Sequence, residues 1–283
     1  MMPQTISTAI PTFIENSLQL KILESVLQSL SKQSVKPIEV IISDNSNNQD
    51  FIEKIQKIIN SFNNLNIKYI LNREYIGIAA NSNFAVSTSS GDIIHILHQD
   101  DTLLNGNLYE EITDILCGNE NLWIIAQGKV GNRVLDSKFD KNTKFGFNEL
   151  GGPSSLFVRK ANHIPFNIKY NMLVDVVNYH EYFLKMGLPF ILKGINIDFG
   201  LHDFQYSKNY SSNKVKTELV NFIKEYNITS EEIKYSIGSV KREIYHLKLL
   251  ILAAHFNQKI TIFELFKFIS IYYLKTTKRR IFN

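Results

Sequence analysis

Cysteine is almost missing from this chain. The single thiol, Cys117, has no internal partner, so no disulfide framework holds the fold, and a reducing compartment is expected. A strong excess of one charge is also missing. Lys and Arg number 31 against 27 Asp and Glu, a formal net charge of +4 over 283 residues. That balance is too mild, and the basic residues too scattered, for a nucleic-acid partner. Long apolar runs are absent as well: 249–256 is short, and 260–274 is interrupted by Glu264 and Lys267, so neither reads as a membrane span. The opening MMPQTISTAIPTF lacks a basic segment leading into a long apolar core, so no signal peptide is expected. Neither the dinucleotide G-x-G-x-x-G nor a P-loop lysine occurs, nor G-x-S-x-G, H-E-x-x-H or C-x-x-C. A Rossmann dehydrogenase, a P-loop ATPase, an α/β-hydrolase and a zinc protease are therefore disfavoured.

What is present is an ordinary globular composition, 44% hydrophobic and 20% charged, long enough for about two domain-sized units. The first hundred residues alternate strand and helix signals. Thr5–Ile10 is β-rich and is expected to stop at Pro11. Ser17–Gln33 places Leu20, Leu23, Leu27 and Leu30 on one helical face. Strands at Ile38–Ser43, Ile67–Leu71 and Asp92–Leu97 are separated by helical periodicity at Phe51–Phe62 and Gly77–Ser89. Strands this apolar are buried on both faces, so the order argues a doubly wound α/β half with a mostly parallel sheet flanked by helices. The second half is less regular. It offers a helix at Leu103–Leu116, strands at Leu122–Val130, Ser154–Arg159 and Phe190–Asp198, and a polar loop over 131–150 suited to a lid or acceptor edge. A helix at Asn171–Met186 carries Leu173, Val177 and Leu184 as core positions, and residues from about Asn213 onward read as helical.

In open α/β sheets, ligands bind beyond the carboxyl ends of the strands. Three polar clusters fall there: Pro11-Thr12, Asp44-Asn45 and His98-Gln99-Asp100-Asp101. Adjacent carboxylates repel each other, and a divalent cation with phosphate oxygens would relieve that repulsion. The alternative for Asp101 is a cap on the following helix. For Asp44–Asn47 the alternative is an Asx-rich turn. Gly77–Asn83 opens a helix with small residues, which suits either a phosphate or tight packing. Asp175, with Tyr179 one turn later, is a candidate proton acceptor or a solvated side chain. His202, in a loop after a strand, is a metal-ligand candidate. His95 alternates with Ile94 and Ile96 in a strand and reads as structural.

Taken together and in this order, these segments resemble a family-2 glycosyltransferase with the GT-A fold, of the bacterial cell-surface polysaccharide type. Ile10–Phe13 resembles the family's first strand end, and Glu39–Asn45 its second strand with the nucleoside-binding aspartate. Gly77–Asn83 and Ser90–Ile94 resemble its small-residue helix and Gly-Asp turn. His98–Asp101 falls where its D-x-D motif belongs. The resemblance implies inverting, metal-dependent transfer of a sugar from a nucleoside diphosphate donor, a UDP-sugar, to a saccharide or lipid-linked saccharide. It implies donor contacts at Pro11, Thr12, Asp44, Asn81, Asp100 and Asp101, and an acceptor side at Gly152, Pro153 and Ser154. It further implies Asp175 as base, and Mn2+ or Mg2+ held by Asp100 and His202, the latter in a segment resembling H-x-x-Q-x-S through Gln205 and Ser207. Three positions depart from the family pattern: His98 for the first acid of D-x-D, Tyr75 for an Asn before Gly77, and Val174 for the first acid of an E-D pair.

The implied organisation is a GT-A domain over 1–210, with a nucleotide-sugar half at 1–101 and an acceptor half at 102–210. A helical C-terminal extension occupies 211–283. Its apolar segment 260–274 and basic end Lys275–Arg280 suit either a peripheral contact with the inner face of the cell membrane or packing on the same domain or a second subunit. A cytoplasmic setting is expected. The competing functions are a nucleotidyltransferase, which would need a basic triphosphate loop that Pro11–Ser17 lacks, and a degenerate GT-A binding module without catalysis.

Overall fold

The computed structural model describes residues 4–119, 121–139, 148, 150–202 and 212–227. The first part alternates as the sequence suggests: β1 (Ile6–Thr12), α1 (Ser17–Ser31), β2 (Glu39–Asp44), α2 (Gln49–Ile59), β3 (Ile67–Leu71), α3 (Ile78–Ser87) and β4 (Ile93–Ile96). It continues through β5 (Thr102–Leu103), α4 (Leu108–Leu116), β6 (Trp123–Val130), β7 (Arg133–Val134), β8 (Leu156–Arg159), α5 (Val174–Met186) and β9 (Phe190–Phe199). All of these belong to one compact unit. A further helix, α6 (Ser212–Glu225), belongs to a second unit and buries Leu219, Phe222 and Ile223 on one face. No described helix is long and apolar enough to cross a membrane. The segment 260–274, the basic end Lys275–Arg280, loop residues 140–147, and Gln205 and Ser207 lie outside the described residues.

The strands form one sheet in the order β3-β2-β1-β4-β8-β6-β9-β5, with β7 on β6. The first four run parallel, and most paired positions of the sheet lie in parallel ladders. β8 joins β4 and β6 antiparallel, and β9 returns parallel to β6 and carries β5 antiparallel beside it. This topology delivers the carboxyl ends of β1, β2 and β4 to one edge, with Thr12 in register with Asp44.

Helices cover both faces, as strand alternation requires. Ile6, Ile10, Val40 and Ile42 pack with Leu23, Leu27 and Leu30 of α1, Ile55 of α2 and Ile112 of α4. Ala9, Ile41, Ile94 and Ile96 face the other way, onto Ala79, Ala85 and Val86 of α3. The same split runs through β6. Ile124 and Ala126 join the first cluster, while Trp123 and Ile125 join Tyr179 and Tyr182 of α5. α1 starts cleanly because Asn16 accepts from Leu18 and Gln19 N–H while Gln19 reaches back to the Asn16 N–H.

Three expectations are corrected. β1 does not stop at Pro11 but runs through it to Thr12. Ala9 and Pro11 point their backbone groups to the same side, towards β4. That strand ends opposite Ala9, so the proline's missing N–H has no ladder bond to make there. α4 begins at Leu108 with Asn107 as its cap, not at Leu103, because Thr102 and Leu103 are drawn into the sheet against Asp198 and Ile197. Asp101 therefore caps no helix. Leu184 is 64% exposed, whereas Met186 of the same last turn of α5 packs against the Trp123, Tyr179 and Tyr182 cluster.

Glu39 shows how the amino-terminal edge of this sheet is locked. Its carboxylate is 1% exposed and accepts from Ser7 Oγ at 2.7 Å, from Ser90 and from Lys68. Burial alone would raise this group, but the bonds from Lys68, Ser7 and Ser90 outweigh it and hold it at about 2 against an ordinary 4.5. Its stabilisation is thus complete above about pH 4.5 and is lost as the pH falls through about 2. Glu39→Gln should lower unfolding stability by about 1–3 kcal/mol at neutral pH. Urea denaturation should show the gap between variant and wild type closing as the buffer is acidified across that window.

Candidate active site

At the ends of β1 and β2, polar side chains are spent on one another. Asp44, fully buried, accepts from the backbone N–H and hydroxyl of Ser46 and from the Tyr69 hydroxyl at 2.7 Å. The chain thus forms the Asx turn at Asp44–Ser46 that its composition allows. Asn45 donates to Asn72 O and accepts from Gly77 N–H, which ties the β2 end to the start of α3. Gly77 has a φ of +95°, in the region that favours glycine. Asn81, 3% exposed, donates to Ser43 O and accepts from Ser43 Oγ and Asn72 Nδ2. Thr12 is 1% exposed, and its carbonyl receives the Asn45 N–H. Pro11, Thr12, Asp44 and Asn81 therefore converge on one strand edge, where their buried bonds shape the surface.

The acidic turn is fastened to that edge. Gln99 clamps the backbone of Phe13 twice, accepting from its N–H at 2.7 Å and donating to its carbonyl at 2.9 Å. Asp101 is 6% exposed; one oxygen accepts from Ser154 Oγ at 2.5 Å and the other from Gly200 N–H at 2.9 Å. Gly200 can come this close only as glycine, because a Cβ there would collide with the Asp100 backbone carbonyl. The end of β9 is thereby laid against the turn, and His202 Nε2 lies 3.0 Å from Asp100 Oδ2. Burial, then the charge of Asp100, push the Asp101 carboxyl up to about 8 despite its two hydrogen bonds. Burial lowers the His98 imidazole, against the pull of Asp100, so that ring is neutral.

This arrangement fits a divalent cation. His98, Asp100 and Asp101 offer ligand atoms within 4.8 Å of one another. His98 Nε2 is buried and has no hydrogen-bond partner, and Asp101 is uncomfortable as an anion without a positive neighbour. A cation would relieve both.

The third cluster lies beyond β4. Gly151, at φ +111°, turns the chain into Gly152-Pro153-Ser154. Tyr179 of α5 donates to Gly152 O at 2.8 Å and Gly151 O at 3.2 Å. Asn148 donates to Gly151 O and to Asp175 Oδ2, and accepts from the Leu150 and Gly151 N–H groups. Asp175 sits in the first turn of α5, its other oxygen on the Val176 N–H. Burial pushes its carboxyl up to about 6, outweighing the bonds from Val176 and Asn148. Burial and then the charges of Asp175, Tyr182 and Asp101 raise the Tyr179 phenol, so one ring feels both the candidate base and the acidic turn. The Ser154 hydroxyl accepts from His98 N–H and donates to Asp101.

His95 carries more than its strand pattern suggests. It is fully buried, stacked on Phe157 with centroids 4.0 Å apart. Its Nε2 lies 2.9 Å from Ser154 O, a carbonyl, so Nε2 must carry the proton. Nδ1 then accepts from the Tyr109 hydroxyl at 2.7 Å, which accepts from Thr8 at 2.7 Å. A fully satisfied buried chain thus fixes Ser154 from behind. The signal in the sequence was a polar ring at an inward strand position; its partners, 14 and 59 residues away, had no local signature.

The model for glycosyl transferase family 2 matches residues 7–183. Over 104 residues the chain is 33% identical to a protein of Campylobacter jejuni named GalNAc(5)-diNAcBac-PP-undecaprenol beta-1,3-glucosyltransferase, covering 36% of this chain and 32% of that protein. The chain thus aligns with about a third of that relative's length. Among solved structures, S. aureus TarS in complex with UDP-GlcNAc superposes with a TM-score of 0.62 at 17% identity, covering 94% of this chain and 79% of that one. The mannosyltransferase PcManGT from Pyrobaculum calidifontis, in complex with GDP-Man and Mn2+, superposes with a TM-score of 0.63 at 11% identity, covering 99% and 81%. The architecture is that of the GT-A glycosyltransferases. With the family model spanning well over half its length, this chain belongs to glycosyl transferase family 2.

Proposed function

We propose that the protein transfers a sugar from a UDP-sugar to a hydroxyl of a saccharide or lipid-linked saccharide, with inversion at the anomeric carbon. The observation that carries this reading is a cation-ready acidic turn and a half-buried carboxylate of raised pKa, joined through residues 151–154. The neighbours' named ligands, UDP-GlcNAc and GDP-Man with Mn2+, support the donor class, and the Campylobacter protein's name supports a lipid-linked acceptor. A cytoplasmic enzyme working at the inner face of the membrane would suit such an acceptor.

In this reading Pro11, Thr12 and Asp44 shape the seat for the nucleoside, with Asn81 bracing it. Asp100 and His202 would hold the divalent cation, which would supply positive charge against the diphosphate leaving group, an effect worth several kcal/mol. Asp101 sits at the donor sugar, held by Ser154 and Gly200. The acceptor oxygen attacks C1 and forms the new C–O bond. The bond from C1 to the diphosphate oxygen breaks with its electron pair on that oxygen, and the acceptor proton passes to Asp175. A carboxylate near 4 would be a weak base; at about 6, Asp175 is better matched to a hydroxyl that turns acidic as its bond forms. Asn148 leaves it one oriented carboxylate rather than a swinging one.

Two experiments test this. A donor screen across UDP-, GDP-, dTDP- and CMP-sugars with and without Mn2+ should give turnover with a UDP-sugar and metal, and Asp100→Asn should abolish it while the far-ultraviolet spectrum stays native. No turnover with any donor would reduce the protein to a binding module. Second, the rate should rise with pH through about 6 and then level, since Asp175 works deprotonated. Asp175→Asn should bind donor normally, lose about 10²–10⁴-fold in turnover and lose that limb. An unchanged pH profile in the variant would place the base elsewhere.

A further inference from the structure

We propose that His98 is a direct ligand of the divalent cation and selects Mn2+ over Mg2+, an inference that rests on the glycosyl-transfer reading of this site. The position where the resemblance puts the first acid of D-x-D carries an imidazole in this chain. Its main chain is fixed, because the His98 N–H donates to Ser154 Oγ at 3.0 Å and its carbonyl accepts the Asp101 N–H at 3.1 Å. Its Nε2 is buried without a partner, a costly state unless something occupies it. A nitrogen lone pair is what a first-row transition ion accepts.

The spacing is right for a shared ion. Metal–ligand bonds of about 2.0–2.2 Å put neighbouring donors about 3 Å apart and opposite ones a little over 4 Å apart. The donor atoms of His98, Asp100 and Asp101 fall within 4.8 Å of one another, and His202 Nε2 lies 3.0 Å from Asp100 Oδ2. Asp101 already spends an oxygen each on Ser154 and Gly200, which makes it the weakest donor of the set. Asp100 and the His98 imidazole therefore lead the set. Mg2+ prefers an all-oxygen shell and keeps its waters, whereas imidazole suits the later divalent ions. A carboxylate at position 98 would remove that bias.

The test uses the full chain and metal alone, without donor. Mn2+ binding is followed by loss of the free-ion electron paramagnetic resonance signal, and its ligands by nitrogen modulation in pulsed spectra. Wild type should show nitrogen coupling from the His98 imidazole and resist Mg2+ competition. His98→Ala should lose that coupling and at least about tenfold in Mn2+ affinity. His98→Asp, which keeps a polar ligand if the alanine variant fails to fold, should lose the same coupling and bring the Mn2+ to Mg2+ preference down about tenfold. Identical nitrogen coupling and Mn2+ affinity in wild type and the variants would overturn the assignment, as would equal binding of the two ions to wild type. The two readings part cleanly: altered coupling in a protein that turns over no donor keeps the ligand and sinks the transfer reading. Turnover with unaltered coupling does the reverse.

Discussion

Burying the Asp101 carboxylate one residue from that of Asp100 is costly, and much of the surrounding architecture serves to hold it there. Its two oxygens are met by a serine hydroxyl and a glycine N–H from segments 53 and 99 residues away. Those bonds do not abolish the penalty, since the carboxyl stays at about 8. A fold that fixes two acids side by side and leaves the penalty standing has a built-in demand for positive charge. Gly200 lacks a Cβ where one would meet the Asp100 carbonyl, and so its N–H can reach Asp101.

The first half of the fold was readable because its causes are local. Leu20, Leu23, Leu27 and Leu30 repeat with helical spacing, and the strands IEVIIS and DIIHIL are apolar throughout, so helix and buried parallel strand follow from periods of 3.6 and 2. The second half was less readable because its causes are distant. Thr102 and Leu103 look like the start of a helix and become a strand only because Asp198 and Ile197 lie opposite. Pro11 is a strand breaker in isolation and is tolerated because the neighbouring strand has already ended. Leu184 keeps the right helical phase and still faces water, while Met186 of the same turn is packed.

The same division runs through the site. The acids announced themselves as a pair at a strand end, and so did His202 as an imidazole in a loop. His95 and Asn148 did not. A histidine in a strand of isoleucines is ordinarily a satisfied core residue, and His95 is one. What the sequence hides is whom it satisfies: Ser154, whose hydroxyl is the one on Asp101. Structural and functional duties here share one chain of hydrogen bonds, running from Thr8 through Tyr109 and His95, with no polar atom along it wasted.

That chain ends in a segment touched from two sides. Residues 151–154 receive the Tyr179 hydroxyl and the Asn148 amide at one end, and the His95 ring and His98 N–H at the other. Asn148 also holds Asp175, and Ser154 also holds Asp101. The spacing between the candidate base and the acidic turn is thus set by one short backbone stretch, stiffened by Pro153 and turned by Gly151. A group-transfer reaction gains most when its two partners are held at a fixed separation. Loops adjusted independently would let that separation drift, whereas a shared bridge moves both ends together. The departures at His98 and Val174 change which atoms stand at each end and leave the bridge untouched, so a change of ion or of acceptor could arise on this scaffold without rebuilding it.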